Sequence, residues 1–237
     1  MTLTMIPDVT ETGLEPFEAV IFDMDGTLLD TESVFKSVVF EVFTELGYEM
    51  TDAVHMSMVG NSHETTRALL VEAYGVSFPY TLYDQRCRVV MGTRMHEQVP
   101  VKTGAREMVE ELRERGIPIA VATSSRRVQV DHHLGNAGLL HLFDTVVTRD
   151  DVVKPKPDPE PYLTAASRLG ILPSLCLALE DSHAGVRAAH AAGMQTVMVP
   201  DLVHPSDEIR ALCRAVMDSL DHVRSAAFPS PVRRSEA

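Results

Sequence analysis

The chain has 237 residues, of which 45% are hydrophobic and 23% charged, a composition typical of a globular protein with one core domain and a modest insertion. Its formal net charge of −13 argues against a nucleic-acid or anionic-membrane partner, because both require clustered Lys and Arg. Three widely spaced cysteines without a CxxC pair argue against a disulfide framework and a zinc site. With no export signal or long apolar run, we expect a cytoplasmic protein.

Short apolar or β-branched runs, each bounded by Gly, Pro, Asp or polar residues, predict buried strands. They lie at 19–22, 117–122, 145–147, 176–179 and 196–199. From about residue 104 onward the strands alternate with helical segments at 105–115, 128–137, 161–169 and 184–192. Strand, helix, strand with short links predicts an α/β fold with a Rossmann-like parallel sheet, covered by helices on both faces.

The pattern between the first strand and about residue 100 is different. Segments 33–46, 63–74 and 83–97 have helical spacing, and no strand is convincing there. We therefore expect a helical insertion that interrupts the α/β domain. The predicted domains are a core of 16–30 and 100–225, a helical cap of 31–99, and flexible tails at 1–15 and 226–237.

The first predicted strand ends in a cluster of acids and a glycine. Asp23 and Asp25 are two residues apart, so an extended backbone projects both from the carboxyl end of the strand, where ligands of open α/β sheets bind. Gly26 permits a sharp turn and a close approach of ligand, and Thr27 can supply a hydroxyl or an amide. The two carboxylates would repel by roughly 4 kcal/mol at about 4 Å unless a cation or proton intervenes. The alternative is an ordinary turn after a strand.

The later strands also end in polar residues of types that a phosphoryl site requires. Thr123, Ser124 and Ser125 follow the second strand, where hydroxyls and free amides at a helix N-terminus hold anionic oxygens. Lys154 lies in a proline-rich loop and can neutralise a carboxylate and a phosphate, whereas the nearby Lys156 is expected to be solvated. Glu180 and Asp181 end the fourth strand and suit Mg²⁺. Helix capping and a solvated loop are the alternatives.

These motifs, in this order, resemble those of the haloacid dehalogenase-like hydrolase superfamily. The similarity spans roughly residues 19–200 and includes Asp23-Met-Asp25-Gly-Thr27, Thr123, Lys154 and Glu180-Asp181. The insertion looks like the helical cap of the β-phosphoglucomutase-like branch. The resemblance implies a Rossmann-like core with a mobile cap over the active site.

The resemblance also implies a role for each matching residue. Asp23 would be the nucleophile that forms an aspartyl-phosphate, and Asp25 the general acid and base. Thr123 would bind the transferring phosphoryl group and Lys154 would hold Asp23 and the phosphate. Mg²⁺ would be held by Asp23, Asp181, the Asp25 carbonyl and Glu180. An acid at position 25 favours phosphoryl transfer over cleavage of a carbon–halogen bond.

The predicted cap departs from the pattern of the phosphomutase. Phe35 stands where that mutase has a cap histidine, and His63 where it has a cap arginine, so the assignment as a mutase is weakened. His63 remains a candidate substrate contact, as do Arg67, Arg86 and Arg88, although a solvated helix face is the favoured interpretation of each.

The sequence therefore predicts a Mg²⁺-dependent, monomeric phosphatase of a small phosphorylated metabolite such as a sugar phosphate. A phosphomutase that returns the phosphoryl group to its substrate is the first alternative. A non-enzymatic phospho-aspartate signalling module is the second, because receivers also combine acids, a hydroxyl residue and a lysine at strand ends. The substrate itself is left open, because cap side chains would select it.

Overall fold

The computed structural model describes residues 13–59, 61, 63–97 and 99–229. Its centre is a parallel sheet of six strands in the order β3-β2-β1-β4-β5-β6, which confirms the predicted α/β Rossmann-like fold. The strands are β1 Ala19–Phe22, β2 Ile119–Ala122, β3 Thr145–Val147, β4 Cys176–Glu180, β5 Gln195–Met198 and β6 Ala215–Val216. Strand β1 lies between β2 and β4. The strands that follow it are therefore added first on one side of β1, as β2 and β3, and then on its other side, as β4, β5 and β6.

Every residue of β1, β2 and β4 is buried, because helices cover both faces of the sheet. Val20 and Phe22 point into one apolar cluster, and Ala19 and Ile21, which alternate with them, point into the other. The helices of this part of the chain are α5 Ala105–Glu114, α6 Arg127–Asn136, α7 Glu160–Leu169, α8 His183–Ala191, α9 Asp207–Leu212 and α10 Leu220–Ala227.

Four helices occupy the region between β1 and β2. They are α1 Thr31–Glu45, α2 Asp52–Met58, α3 His63–Tyr74 and α4 Tyr80–Glu97. These helices share an apolar cluster centred on Phe43, whose ring lies 5.1 to 5.3 Å from those of Tyr74, Phe78 and Tyr83. The division of the chain into a core domain and a cap domain stays a prediction.

Some residues that the sequence analysis assigned to the tails pack against the sheet. Leu14 and Ala227 are buried in the same apolar cluster, and the ring of Phe228 lies 6.3 Å from that of Phe17. Apolar contacts therefore hold both ends of the described chain against the sheet. Residues 1–12 and 230–237, the rest of the predicted tails, lie outside the described residues. Within the described part of the chain, no helix combines the length and the apolar character needed to cross a membrane.

The segment that follows β3 is fixed by two carboxylates. The Asp151 side chain accepts hydrogen bonds from the amide and hydroxyl of Thr148, at 2.8 and 2.6 Å, and from Arg127 and Arg168, at 3.1 and 2.7 Å. Glu160 accepts from the amides of residues 153 and 154. These bonds position the loop that contains Lys154 and Lys156.

We expect Asp151→Asn to lower the free energy of unfolding at pH 7 by about 1–3 kcal/mol, because it weakens several charge-assisted hydrogen bonds. Although burial raises the pKa of Asp151, the bonds from Thr148 and Arg168 outweigh it and hold the pKa well below its usual range. The stabilisation is therefore complete above the unfolded pKa of about 3.9 and declines as the pH falls toward the folded pKa. Urea titrations between about pH 5 and 2 measure this decline.

The exposed acid Glu114 provides the control for this prediction, and Glu114→Gln should change the free energy of unfolding by less than about 0.5 kcal/mol. A penalty for Asp151→Asn that is constant across the pH range would contradict the assigned role of its charge.

Candidate active site

The carboxyl ends of the neighbouring strands β2, β1 and β4 form the candidate site. Asp23 follows β1, Thr123 follows β2, and Glu180 ends β4 with Asp181 next to it. Parallel strands that pair in register end at the same edge, so residues more than 150 positions apart in the chain come together there. The structure thus brings together the acids and the hydroxyl residue that the sequence analysis singled out.

Asp23 is nearly buried, with 7% of the residue exposed. Its backbone amide donates to the carbonyl of Leu179 at 2.9 Å, and its Oδ1 accepts a hydrogen bond from Lys156 Nζ at 2.6 Å. Burial is the main reason that the pKa of Asp23 is raised to about 8; Lys156 opposes this rise, whereas Glu180 and Asp25 add to it.

The lysine at the site is Lys156, so the predicted placement of Lys154 is wrong. Lys154 points to solvent with 70% of its side chain exposed and lies 3.7 Å from Asp158, because Glu160 holds its backbone at the surface of the loop. The side chain of Lys156, expected to be solvated, is only 5% exposed. Burial alone would lower the pKa of Lys156, but Asp23 and Glu180 raise it above its usual value, so the ammonium stays charged.

Glu180 is completely buried and anchors Lys156. Its Oε1 accepts from Lys156 Nζ at 2.5 Å and from the Tyr162 hydroxyl at 2.8 Å. Its Oε2 accepts from the amides of Asp181 and Ser182 and from the Ser182 hydroxyl. Five donors exceed the four or so lone-pair sites of a carboxylate. The prediction that Glu180 is a direct metal ligand is therefore corrected to a role in positioning Lys156.

A glycine makes room for the Glu180 carboxylate. A Cβ atom on Gly185, in the first turn of α8, would lie 1.7 Å from Glu180 Oε1, so no larger residue fits without displacing the carboxylate. The sequence analysis had no signal for this contact, nor for the buried Tyr162, whose ring lies 5.0 Å from Lys156 Nζ.

Asp181 lies against the turn that follows Asp23. A Cβ atom on Gly26 would be 2.2 Å from Asp181 Oδ2, and the φ of 87° at Gly26 also favours glycine. Burial, followed by the charges of Asp23 and Glu180, raises the pKa of Asp181 well above its usual value, with Lys156 opposing. The Gly26 amide donates to the carbonyl of Leu29 at 2.9 Å, so the structure gives Gly26 a role in the turn and in space for Asp181 rather than an amide free for phosphate.

Asp25 points toward the end of β2. Its Oδ2 accepts a hydrogen bond from the Ser125 hydroxyl at 2.7 Å, and the Ser125 amide donates to Thr123 Oγ1 at 3.0 Å. Thr123 is 2% exposed, whereas Ser124 is exposed at the surface. The hydroxyl of Thr27 is buried and has no hydrogen-bond partner among the described residues, so it is the unsatisfied polar atom of the turn.

The other predicted contact, His63, lies at the start of α3 and is largely exposed. Its Nδ1 is 3.5 Å from Asp84 and 3.4 Å from the Tyr80 hydroxyl. His63 and Phe35 both line a cavity of about 380 Å³ among helices α1 to α4. Glu32 lines the same cavity, and the sequence analysis did not single it out. Burial, followed by the charges of Asp201, Asp25 and Asp30, raises the pKa of Glu32. The carboxyl group of Glu32 is therefore affected by the charge of Asp25.

The residues at the site fit a divalent cation. Asp23 raises the pKa of Asp181, and Lys156 opposes the rise in the pKa of both residues. In the described part of the chain, no group of three or more His, Cys, Asp or Glu side chains forms a ready-made metal site. Mg²⁺ needs no such group, because it binds through one or two carboxylates and completes its octahedron with water and substrate phosphate.

Comparison with known proteins agrees with this geometry. A family model described as haloacid dehalogenase-like hydrolase matches residues 20–199. The chain is 32% identical over 198 residues to the phosphorylated carbohydrates phosphatase of Thermotoga maritima, an alignment that covers 84% of this chain and 91% of that protein. The predicted class of enzyme, a phosphatase of the haloacid dehalogenase-like type, is confirmed by such relatives.

Solved structures show the same fold. A hydrolase of this family from Deinococcus radiodurans, crystallised with phosphate and sodium, is 29% identical with a TM-score of 0.80, and 91% of this chain and 99% of that one are covered. A Thermotoga maritima protein provisionally assigned as a β-phosphoglucomutase is also 29% identical, with a TM-score of 0.75 and coverage of 87% and 96%. The predicted likeness to the β-phosphoglucomutase-like branch is confirmed.

The two lysines of the loop should differ sharply in their effect on stability. We expect Lys156→Ala to lower the free energy of unfolding by about 3–5 kcal/mol, because it leaves Asp23 and Glu180 buried without their cation. Lys154→Ala removes an exposed ion pair and should cost less than about 1 kcal/mol. Chemical denaturation at neutral pH measures both, and Lys156→Met controls for the loss of apolar contacts. Equal effects of the two alanine variants would show that the ammonium of Lys156 is not buried in its ion pair.

Proposed function

Because the chain belongs to the haloacid dehalogenase-like hydrolase family, we propose that it hydrolyses a small phosphorylated metabolite, such as a sugar phosphate, through a phosphorylated Asp23 and with Mg²⁺. The observation that carries the proposal is the buried contact of 2.6 Å between Asp23 Oδ1 and Lys156 Nζ at the shared edge of the three strands. The Thermotoga maritima relative is named for phosphorylated carbohydrates, which supports a sugar phosphate as the class of substrate.

In the first step Asp23 attacks phosphorus. Lys156 occupies Oδ1, which leaves Oδ2 to form the new bond to phosphorus while the bond from phosphorus to the ester oxygen breaks. Asp25 gives its proton to the departing alkoxide, and the Ser125 hydroxyl orients the Asp25 carboxyl group for this transfer. Thr123, which directly follows β2, binds an oxygen of the phosphoryl group in this proposal. A covalent intermediate divides one difficult displacement into two easier ones.

In the second step water attacks the phosphorus atom of phosphorylated Asp23. Asp25, now ionised, takes a proton from that water, so the acid of the first step becomes the base of the second. Inorganic phosphate leaves and the Asp23 carboxylate is restored. Lys156 remains charged throughout and stabilises negative charge on the transferring oxygens.

The carboxylates of Asp23 and Asp181, with the Asp25 carbonyl, would hold the Mg²⁺. When bound, the ion neutralises charge on the phosphoryl oxygens and favours the ionised form of Asp23 that attack requires. We also propose a reducing, cytoplasmic location for the protein. The free thiols of Cys87, Cys176 and Cys213 support it. A monomeric state likewise stays a prediction.

The nucleophile is tested by Asp23→Asn. We expect this variant to release phosphate from p-nitrophenyl phosphate and hexose phosphates at least about 10³-fold more slowly, because an amide cannot form the covalent intermediate. Mass spectrometry of wild-type protein quenched in acid should find phosphate on the peptide that contains Asp23. Undiminished activity in a preparation free of contaminating phosphatase would defeat the mechanism. Isomerisation of a hexose phosphate with little release of phosphate would select the phosphomutase instead.

Metal dependence is tested through Asp181. Chelation should abolish phosphate release and Mg²⁺ should restore it, since the lone Lys156 cannot neutralise the acids and the phosphate together. We expect Asp181→Asn to raise the Mg²⁺ concentration for half-maximal rate by about tenfold or more. Glu72→Gln, at an exposed position on α3, is the matched loss of one negative charge and should leave the Mg²⁺ requirement unchanged. An identical requirement in the Asp181 variant would remove this residue from the metal site.

A further inference from the structure

The cavity of about 380 Å³ lies among helices α1 to α4. Its lining includes Glu32 and Phe35 from the start of α1, which directly follows the turn that contains Asp23 and Asp25. The carboxylate of Glu32 is within the electrostatic reach of Asp25 and Asp30. The cavity is therefore placed to receive whatever part of a substrate extends from the phosphoryl group toward the cap.

Most of the lining is apolar or aromatic. Met58 and Tyr83 are buried side chains of the apolar cluster centred on Phe43. Met91 packs against that cluster and also against the cluster of the sheet that contains Phe22. His55, which also lines the cavity, is 1% exposed, and its Nδ1 has no hydrogen-bond partner among the described residues. Burial lowers the pKa of His55, so the cavity offers a neutral hydrogen-bonding group of the kind that suits a hydroxyl.

The charged groups of the lining that the structure describes leave no unpaired cation. Arg88 lies 2.8 Å from Asp84, and His63 is 3.5 Å from the same carboxylate. Glu32 adds a further carboxyl group, and Lys102, whose charge lowers the pKa of Glu32, is itself paired with Asp201 at 2.9 Å. A second anionic group of a substrate would therefore meet carboxylates without a free cation to neutralise it.

We propose that this cavity holds the leaving group of the substrate and selects uncharged, hydroxyl-bearing leaving groups, with Glu32 and the Asp84–Arg88 pair excluding carboxylates and second phosphates. The inference rests on the proposed phosphatase function and names its class of substrate: monophosphate esters of neutral alcohols. It also disfavours a phosphomutase cycle, because the bisphosphate of such a cycle must place a second phosphate against this lining.

The test compares two esters that differ by one charge, glycerol 3-phosphate and 3-phosphoglycerate, in which a neutral hydroxymethyl group is replaced by a carboxylate. We expect wild-type kcat/KM, measured at pH 8 with Mg²⁺, to favour the neutral ester by at least about tenfold, equivalent to ~1.4 kcal/mol. Glu32→Gln should bring the ratio of the two kcat/KM values closer to one. Asp84→Asn frees Arg88, so it should bring the ratio closer to one or make the charged ester the better substrate. Glu72→Gln, an exposed charge on the same cap, should leave it unchanged.

A wild-type ratio near one, or a ratio that neither Glu32→Gln nor Asp84→Asn alters, would overturn the proposal. Calorimetric binding of both esters to Asp23→Asn, with and without Glu32→Gln, separates this outcome from failure of the proposed function. If neither ester nor p-nitrophenyl phosphate is hydrolysed, the phosphatase fails, but the binding ratio still decides the selectivity. Equal affinity for the two esters in Asp23→Asn would count against the cavity as a charge filter.

Discussion

The buried ion pairs of Lys156 organise the whole candidate site. Its ammonium lies between Asp23 Oδ1 and Glu180 Oε1 with 5% of its side chain exposed, and Glu180 is fully buried. An isolated charge in such surroundings costs several kcal/mol, so the three groups are stable only together. Other features serve this arrangement: Tyr162 completes the hydrogen bonds of Glu180, Gly185 leaves space for it, and Asp151 and Glu160 fix the loop that delivers the lysine.

The same arrangement leaves the site short of positive charge. Burial is the largest cause of the raised pKa values of Asp23 and Asp181, the neighbouring carboxyl groups add to both rises, and Lys156 is the cation that opposes them. With a net charge of −13, the chain as a whole repels a phosphate ester rather than attracting it. A divalent ion at the strand ends would resolve both difficulties, because it would favour the ionised form of the proposed nucleophile and would attract a dianionic phosphate ester.

The sequence predicted those parts of the molecule that depend on local pattern. Five strands followed from short buried runs, and the acids at their ends followed from the alternation of an extended backbone. The two-residue strand β6 and the short helices α2, α9 and α10 were missed, because none of them is long enough to show a clear period. The choice between Lys154 and Lys156 was wrong for another reason. Both residues precede a proline in the same loop, and only the tertiary bonds of Asp151 and Glu160 decide which one turns inward.

Catalysis and selectivity are supported by different parts of the structure. The reacting groups follow buried strands, whose positions are fixed by backbone hydrogen bonds and by apolar clusters on both faces of the sheet. The lining of the cavity comes instead from helices α1 to α4, which pack around their own cluster centred on Phe43. A substitution of Phe35 or Met91 in this lining can change which leaving group the cavity accepts without disturbing the ion pairs of Lys156. The charge of the lining, rather than the catalytic motifs, is therefore the feature from which substrate class should be inferred.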